Sequence, residues 1–196
     1  MKRPFVIPET RLRPWKLGPP ERRGHFRVFS VFAMDVQTPD GETRPEIYTI
    51  DVADSCSVVA VTEDEQLVLV RQLRFGTREL SLELPGGMLA QGEDPARGVL
   101  RELREETGYE ALAAEPLIAL HTNPSLQRNR HFAFVASGAR LVGAPIFDEH
   151  EDCEVVLVPV EHAERLLDEG HMTHALCHAA LSAFLRRRAA GDTSAR

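Results

Sequence analysis

Cysteine is scarce in this sequence. The three cysteines, Cys56, Cys153 and Cys177, are far apart in the chain, and no CxxC pair exists. A zinc site or a thiol-exchange site built on such a pair is therefore excluded. We expect the three thiols to behave as small, buried hydrophobic groups.

Long apolar runs are also missing. No stretch approaches the roughly 18 apolar residues that a membrane span needs. The first 20 residues are basic, but prolines interrupt them and they contain no apolar run of signal-peptide length. We therefore expect no membrane partner and a cytoplasmic location.

Positive charge is in short supply: 23 Lys and Arg residues face 30 Asp and Glu residues, which gives a net charge of −7. Because affinity for nucleic acid comes from clustered Lys and Arg, we expect no nucleic-acid partner. An anionic small molecule would need local help from a metal ion or a few arginines.

The chain has the composition of an ordinary folded domain, with 43% hydrophobic and 27% charged residues in 196. Residues 1–24 indicate an extended arm, and residues 25–52 a β-hairpin around the turn at 38–41. We place one region at 1–54, containing the arm and hairpin, and a larger domain at 55–196.

Within the larger domain, short β-like runs surround one strong helix. Asp94 is placed to cap that helix, Pro95 suits its first position and Gly108 ends it. A second helical pattern covers residues 161–188 with a break near Gly170. The order of elements predicts an α/β (α+β) fold with a mixed sheet between helices.

The most informative stretch is GMLAQGEDPARGVLRELREETGY, residues 87–109. At about 100° per residue, Glu102, Glu105 and Glu106 share an arc of roughly 100° on one helix face. Three carboxylates there repel one another unless a cation lies among them. Hard oxygen ligands suit Mg²⁺, with Mn²⁺ as the alternative. The preceding Gly86 could offer a carbonyl oxygen to the same ion.

A solvated, ion-paired helix face is the competing interpretation, because Arg101 precedes Glu105 by four residues and such surface pairs are common. For an isolated RExxEE segment that interpretation would be the better one. The Gly-Gly loop and Glu93, both in register with the helix, favour the metal site.

The whole segment resembles the Nudix box: Gly, five residues, Glu, seven residues, then Arg-Glu, two residues, Glu-Glu, one residue and Gly. The resemblance implies a Nudix fold and metal ligation by Gly86 and by three helix glutamates, Glu102, Glu105 and Glu106. It also implies that Glu93 and Arg101 tie the loop to the helix. We count Arg101 and Glu105 among the catalytic residues. Tyr109 stands where an aliphatic residue is usual.

The approach to the box is similar to that of the ADP-ribose pyrophosphatases, with RQLRFG at 71–76 and ELPGG at 83–87. That group has a proline fifteen residues beyond the box, and Pro124 matches it. Pro124 lies within Asn-Pro-Ser, where Ser-Pro-Gly is frequent. The resemblance implies that Arg71, Arg74 and Pro124 contact substrate, and that ADP-ribose is hydrolysed to AMP and ribose 5-phosphate.

An acidic loop at residues 148–154 matches the segment from which the family draws its catalytic base. Glu151 is the first candidate and Glu149 the second. The histidines at 171, 174 and 178 have helical spacing, but without an HExxH pattern we assign them no metal.

The resembled subgroup pairs its N-terminal hairpins across a two-fold axis, so we expect a homodimer. Two alternatives stay open. One is hydrolysis of another nucleotide sugar, NADH, coenzyme A or a dinucleoside polyphosphate. The other is a non-catalytic module that binds ADP-ribose, although all the metal carboxylates are present and no helix-turn-helix segment accompanies them.

Overall fold

The computed structural model describes residues 7–147 and 152–191 of the chain. By its contacts the chain divides into two units, one ending at Asp51 and one beginning at Val52. Among the described residues, no helix has the length and apolar character needed to cross a membrane.

The first unit is a four-stranded sheet. Its strands are β1 (Lys16–Leu17), β2 (Glu21–His25), β3 (Phe29–Gln37) and β4 (Thr43–Val52). Strand β3 pairs with each of the other three, and the β3–β4 turn falls at the predicted Pro39-Asp40-Gly41. The arm expected before residue 25 gains order by pairing with β3, because its backbone groups there find partners in the sheet.

The second unit contains a seven-stranded mixed sheet and three helices. The strands are β5 (Ser55–Thr62), β6 (Gln66–Arg74), β7 (Glu79–Glu83), β8 (Tyr109–Glu110), β9 (Glu115–His121), β10 (Arg130–Leu141) and β11 (Cys153–Pro159). The helices are α1 (Pro95–Thr107), α2 (Ala163–Asp168) and α3 (Ala175–Ala189). A 3₁₀ turn at Val160–His162 precedes α2, and the predicted break near Gly170 separates α2 from α3.

Strand β5 lies at the centre of this sheet. It pairs in parallel with β10 and antiparallel with β6. Its side chains alternate between two apolar clusters, because successive residues of a strand point to opposite faces. Val58 packs with Val99 and Leu103 of α1, whereas Val59 packs with α3 residues on the other face. The predicted sheet between helices is confirmed.

Helix α1 has the ends that the sequence predicts. The Asp94 side chain accepts hydrogen bonds from the amides of Ala96 and Arg97, and Gly108 ends the helix with φ 75°. Val99 and Leu103 are fully buried. This packing holds the neighbouring carboxylates of α1, Glu102 and Glu106, against the loop that follows β7.

Candidate active site

The loop between β7 and α1 lies beside β5 at the residues where β5 is no longer paired with β6. Strand β6 pairs with β5 only near Ala60 and Val61. Beside the first half of β5, the loop supplies the partners instead: the amide of Cys56 donates to the carbonyl of Gly87, and that of Val58 to Pro85, both at 2.9 Å. Through these two hydrogen bonds the loop takes the place that a neighbouring strand would have beside β5.

The two loop glycines are needed for close approaches. A β-carbon on Gly86 would lie 2.1 Å from the carbonyl oxygen of Cys56, and one on Gly87 would lie 2.6 Å from Oε1 of Glu102. The amide of Gly86 donates to Oε2 of Glu106 at 2.8 Å. The loop and the helix carboxylates are therefore in direct contact.

Arg101 connects three carboxylates of this region. Its guanidinium donates to both oxygens of Glu93, at 3.1 and 3.3 Å. Its Nη1 atom also lies 2.9 Å from Glu102 and 2.8 Å from Glu105. The hydrogen bonds to Glu93 are the main reason that the pKa of Arg101 is raised, and the same bonds lower the pKa of Glu93. Arg101 therefore stays charged while Glu93 stays ionised.

The helix carboxylates have the chemistry of a divalent-cation site. Glu102 and Glu106 are buried, with 8% and 4% of their surface exposed, whereas Glu105 is half-exposed. Glu102 and Glu105 already converge on one cationic nitrogen of Arg101. All three offer hard oxygen ligands of the kind that Mg²⁺ and Mn²⁺ prefer. The residues fit such an ion. The position of the Arg101 guanidinium shows that these carboxylates stabilise a positive charge between them.

Arg74 and Glu83 form an ion pair beside the loop. Nε and Nη2 of Arg74 donate to the two oxygens of Glu83 at 2.8 and 2.6 Å. Burial tends to raise the pKa of Glu83, but the bonds from Arg74 outweigh it, so this pKa is lowered. Sequence reasoning missed Glu83, although a charged residue at the end of an apolar strand was an available signal.

The other predicted residues lie in three places. Arg71, on β6, pairs with Glu154 of β11 at 2.8 Å and lines a groove of about 300 Å³ together with Asp152. Pro124 is exposed in the turn between β9 and β10. The two candidate bases, Glu149 and Glu151, lie outside the described residues.

Sequence reasoning also missed His131. It lies on β10 opposite β5 and is 4% exposed. Its Nδ1 and Nε2 atoms are hydrogen-bonded to the hydroxyls of Ser55 and Ser57, at 2.8 and 2.9 Å. Burial lowers the pKa of His131 to about 4, so the ring is neutral near neutral pH.

Comparison with known proteins identifies the class to which this site belongs. The NUDIX domain model matches residues 52–179, and the chain belongs to the Nudix family. The segment at residues 87–109 is its Nudix box, as the sequence predicts. Within the family the chain falls in the ADP-ribose pyrophosphatase-like subgroup, and it is a Nudix pyrophosphohydrolase.

Several relatives carry the resemblance. A methanol dehydrogenase activator from Bacillus methanolicus is 33% identical over 73% of this chain and 77% of its own. An ADP-ribose pyrophosphatase from Bacillus subtilis is 31% identical over 72% and 77%. A Streptomyces rubellomurinus hydrolase of a CMP-linked phosphonate is 32% identical over 79% and 74%.

The fold is also that of a solved structure described as an ADP compounds hydrolase. The TM-score is 0.79, and the match covers 94% of this chain and 99% of that one. At 24% identity this likeness concerns the fold alone. It includes most of the chain and so extends well beyond the box.

Proposed function

We propose that this chain hydrolyses the pyrophosphate bond of ADP-ribose in the presence of Mg²⁺, giving AMP and ribose 5-phosphate. The proposal depends on the contacts of the helix carboxylates. Arg101 forms ion pairs with three of the glutamates, Glu93, Glu102 and Glu105, and the amide of Gly86 donates a hydrogen bond to Glu106. The name of the Bacillus subtilis relative supports this substrate.

In this proposal, the metal would be held by three helix glutamates, Glu102, Glu105 and Glu106, and by the carbonyl oxygen of Gly86. A bound divalent ion neutralises phosphate charge and lowers the pKa of a ligated water. Glu93 and Arg101 hold the loop against the helix, so that the carboxylates keep their places when a cation enters. This positioning limits the reorganisation that binding would otherwise need.

Arg74 binds a phosphate oxygen of the substrate. Its Nη1 atom is not used by the two-point bond to Glu83, and a planar guanidinium suits phosphate oxygens. Arg71 lies three residues earlier on the same strand, beside Asp152. It contacts the distal part of the substrate, as does Pro124. Glu151 accepts the proton of the attacking water, with Glu149 as the second candidate.

A substrate screen tests the reaction. Purified protein with Mg²⁺ is incubated with ADP-ribose, ADP-glucose, GDP-mannose, NADH, coenzyme A, a dinucleoside polyphosphate and a CMP-linked phosphonate, and products are separated by chromatography. We expect AMP and ribose 5-phosphate from ADP-ribose at the highest kcat/KM. A higher kcat/KM on another compound would reassign the substrate, and tight ADP-ribose binding without turnover would indicate a non-catalytic module.

A paired substitution tests the metal site. Glu106→Gln keeps an oxygen that can accept from Gly86 but removes the charge, so we expect turnover to be lost while the melting temperature changes little. The matched control is Glu63→Gln, in the exposed turn after β5, which should retain full activity. Retained turnover in Glu106→Gln would overturn its role as a ligand.

We also propose that the chain is a homodimer formed through its first unit. That unit exposes large apolar side chains, among them Trp15 at 49%, Leu17 at 71% and Tyr48 at 47%. Such surface is commonly buried in an interface. Sedimentation should show a dimer, and Leu17→Arg with Tyr48→Arg should give a folded monomer. A wild-type monomer would contradict this.

A further inference from the structure

Three side chains of different chemistry meet beside the box loop, near the start of α3. Glu83 ends β7, His174 caps the start of α3 and Cys177 lies in its first turn. One ligand atom from each lies within 4.8 Å of the other two. Among the described residues no other such group of His, Cys, Asp and Glu occurs.

The three residues line a cavity of about 200 Å³. Its wall also includes Gly86 and Gly87, the glycines of the box loop. A cavity of this size has room for water molecules or a small polar group next to a bound ion. The arrangement therefore has the form of three protein ligands with an open fourth position, which is typical of catalytic zinc sites.

We propose that Glu83, His174 and Cys177 bind a zinc ion at this cavity, separately from the magnesium ligands on α1. A thiolate and an imidazole are ligands that zinc accepts and that magnesium disfavours. The box carboxylates offer oxygen alone. The two sets would therefore select different metals although one glycine loop contacts both.

The bonds that these residues make now are compatible with an ion. Both oxygens of Glu83 accept from Arg74, and a carboxylate oxygen can accept a second partner. The Nδ1 atom of His174 accepts from the amide of Cys177 at 3.4 Å, a long bond that costs little to lose. The imidazole can therefore turn from capping the helix to binding a metal.

The thiol of Cys177 needs a metal in order to ionise. Burial raises its pKa to about 12, so without a cation it remains protonated and unreactive at neutral pH. Zinc binding would replace that proton, which leaves to solvent as the sulfur–zinc bond forms. Binding should therefore release about one proton per zinc and weaken as the pH falls.

A zinc ion at this site would also affect Arg74, the residue to which we assign phosphate binding. Glu83 holds the guanidinium of Arg74, and an ion on the same carboxylate draws electron density away from that pair. Zinc would thus loosen Arg74. This consequence rests on the proposed function, but zinc binding itself does not.

The test measures zinc binding without reference to turnover. Metal-free protein is titrated with zinc in competition with a coloured chelator, and retained metal is counted by mass spectrometry after dialysis. We expect one equivalent in the wild type and at least tenfold weaker binding in Cys177→Ala and in His174→Ala. Cys153→Ala and His178→Ala are the matched controls and should bind as the wild type does.

Cobalt reports the identity of the ligands. Co²⁺ bound through sulfur should give the wild type a near-ultraviolet thiolate-to-cobalt absorption that Cys177→Ala lacks. Melting temperatures in the presence of EDTA establish that both variants are folded. If the wild type binds no zinc, or if Cys177→Ala binds it equally well, the proposal is wrong.

Glu106→Gln separates this proposal from the proposed function. It should abolish turnover and leave zinc affinity unchanged. If instead Glu106→Gln removes zinc and Cys177→Ala does not, the ion belongs to the box carboxylates and the second site does not exist. Inactivity of the wild type on every nucleotide would leave the zinc result standing.

Discussion

The guanidinium of Arg74 covers a carboxylate that is almost wholly withdrawn from solvent: Glu83 is 2% exposed, and both of its oxygens are bonded to Arg74. Removing one partner of such a pair leaves a buried charge without compensation, which costs more than the pair itself contributes. The stability of the strand end and the availability of a phosphate-binding arginine therefore depend on the same contact.

A double-mutant cycle checks this relationship. Arg74→Met should lower the free energy of unfolding by about 2–3 kcal/mol, a value reduced because Arg74 is half-exposed. Arg74→Met combined with Glu83→Met should recover much of that loss, since no charge then remains buried. Urea denaturation measures all the variants. Equal stability of Arg74→Met and the wild type would show that the pair contributes nothing.

The buried His131 predicts a loss of stability in acid. Its pKa is about 4 when folded, against an ordinary value of 6.5. The unfolded chain therefore takes up a proton at a higher pH than the folded one, and stability falls as the pH is lowered from 6.5 to 4. The contribution, present in full above 6.5, is roughly 3 kcal/mol.

Denaturation measured across that pH range isolates the effect. His131→Gln should show a shallower decline between pH 6.5 and 4 than the wild type. His121→Gln, on the neighbouring strand β9 and exposed, should decline as the wild type does. Parallel curves for all three proteins would mean that His131 is not the group responsible.

The close contact between Gly87 and Glu102 predicts a loss of activity from one methyl group. In Gly87→Ala the new carbon would meet the Glu102 carboxylate at 2.6 Å, so that side chain must move. We expect kcat/KM to fall at least tenfold and more Mg²⁺ to be needed for half-maximal rate. Gly76→Ala is the control, because nothing lies within 4 Å of its added carbon.

The guanidinium of Arg101 contacts three carboxylates at once. We therefore predict that a positive charge without this planar group does not preserve the metal site. Arg101→Lys keeps the positive charge but cannot bond Glu93 at two points while also reaching Glu102 and Glu105. We expect the Mg²⁺ requirement to rise at least tenfold, measured by activity titration, with little change in melting temperature. Arg97→Lys, exposed on the same helix, should behave as the wild type. An unchanged metal requirement in Arg101→Lys would remove its positioning role.

Local signals explain what could be predicted from the sequence. The ends of α1 follow from Asp94, Pro95 and Gly108, because capping depends on residues a few positions apart. The β3–β4 turn, the break near Gly170 and the burial of all three cysteines were likewise predicted and are confirmed. The box itself was recognisable because its fixed positions are contiguous.

Contacts between distant segments account for what could not be predicted. His131 meets Ser55 across 76 positions of the chain, and His174 lies near Glu83 only because the fold brings the start of α3 close to the end of β7. No periodicity or capping signal marks such partners. The arm before residue 25 depends on distant contacts in the same way: the sequence predicts an extended arm that gains order only by lying on another element, and its strands pair with β3.

The parallel pairing of β5 with β10 also determines when the central sheet can be completed during synthesis. The first half of β5 is covered on one side by the box loop and on the other by β10, whose residues leave the ribosome long after the box helix. Contacts of such large separation form slowly. A nascent chain that ends before β10 would contain the α1 segment, but the sheet on which α1 packs would lack the partner strand of β5. The site on α1 can therefore be completed only after β10 has been synthesised.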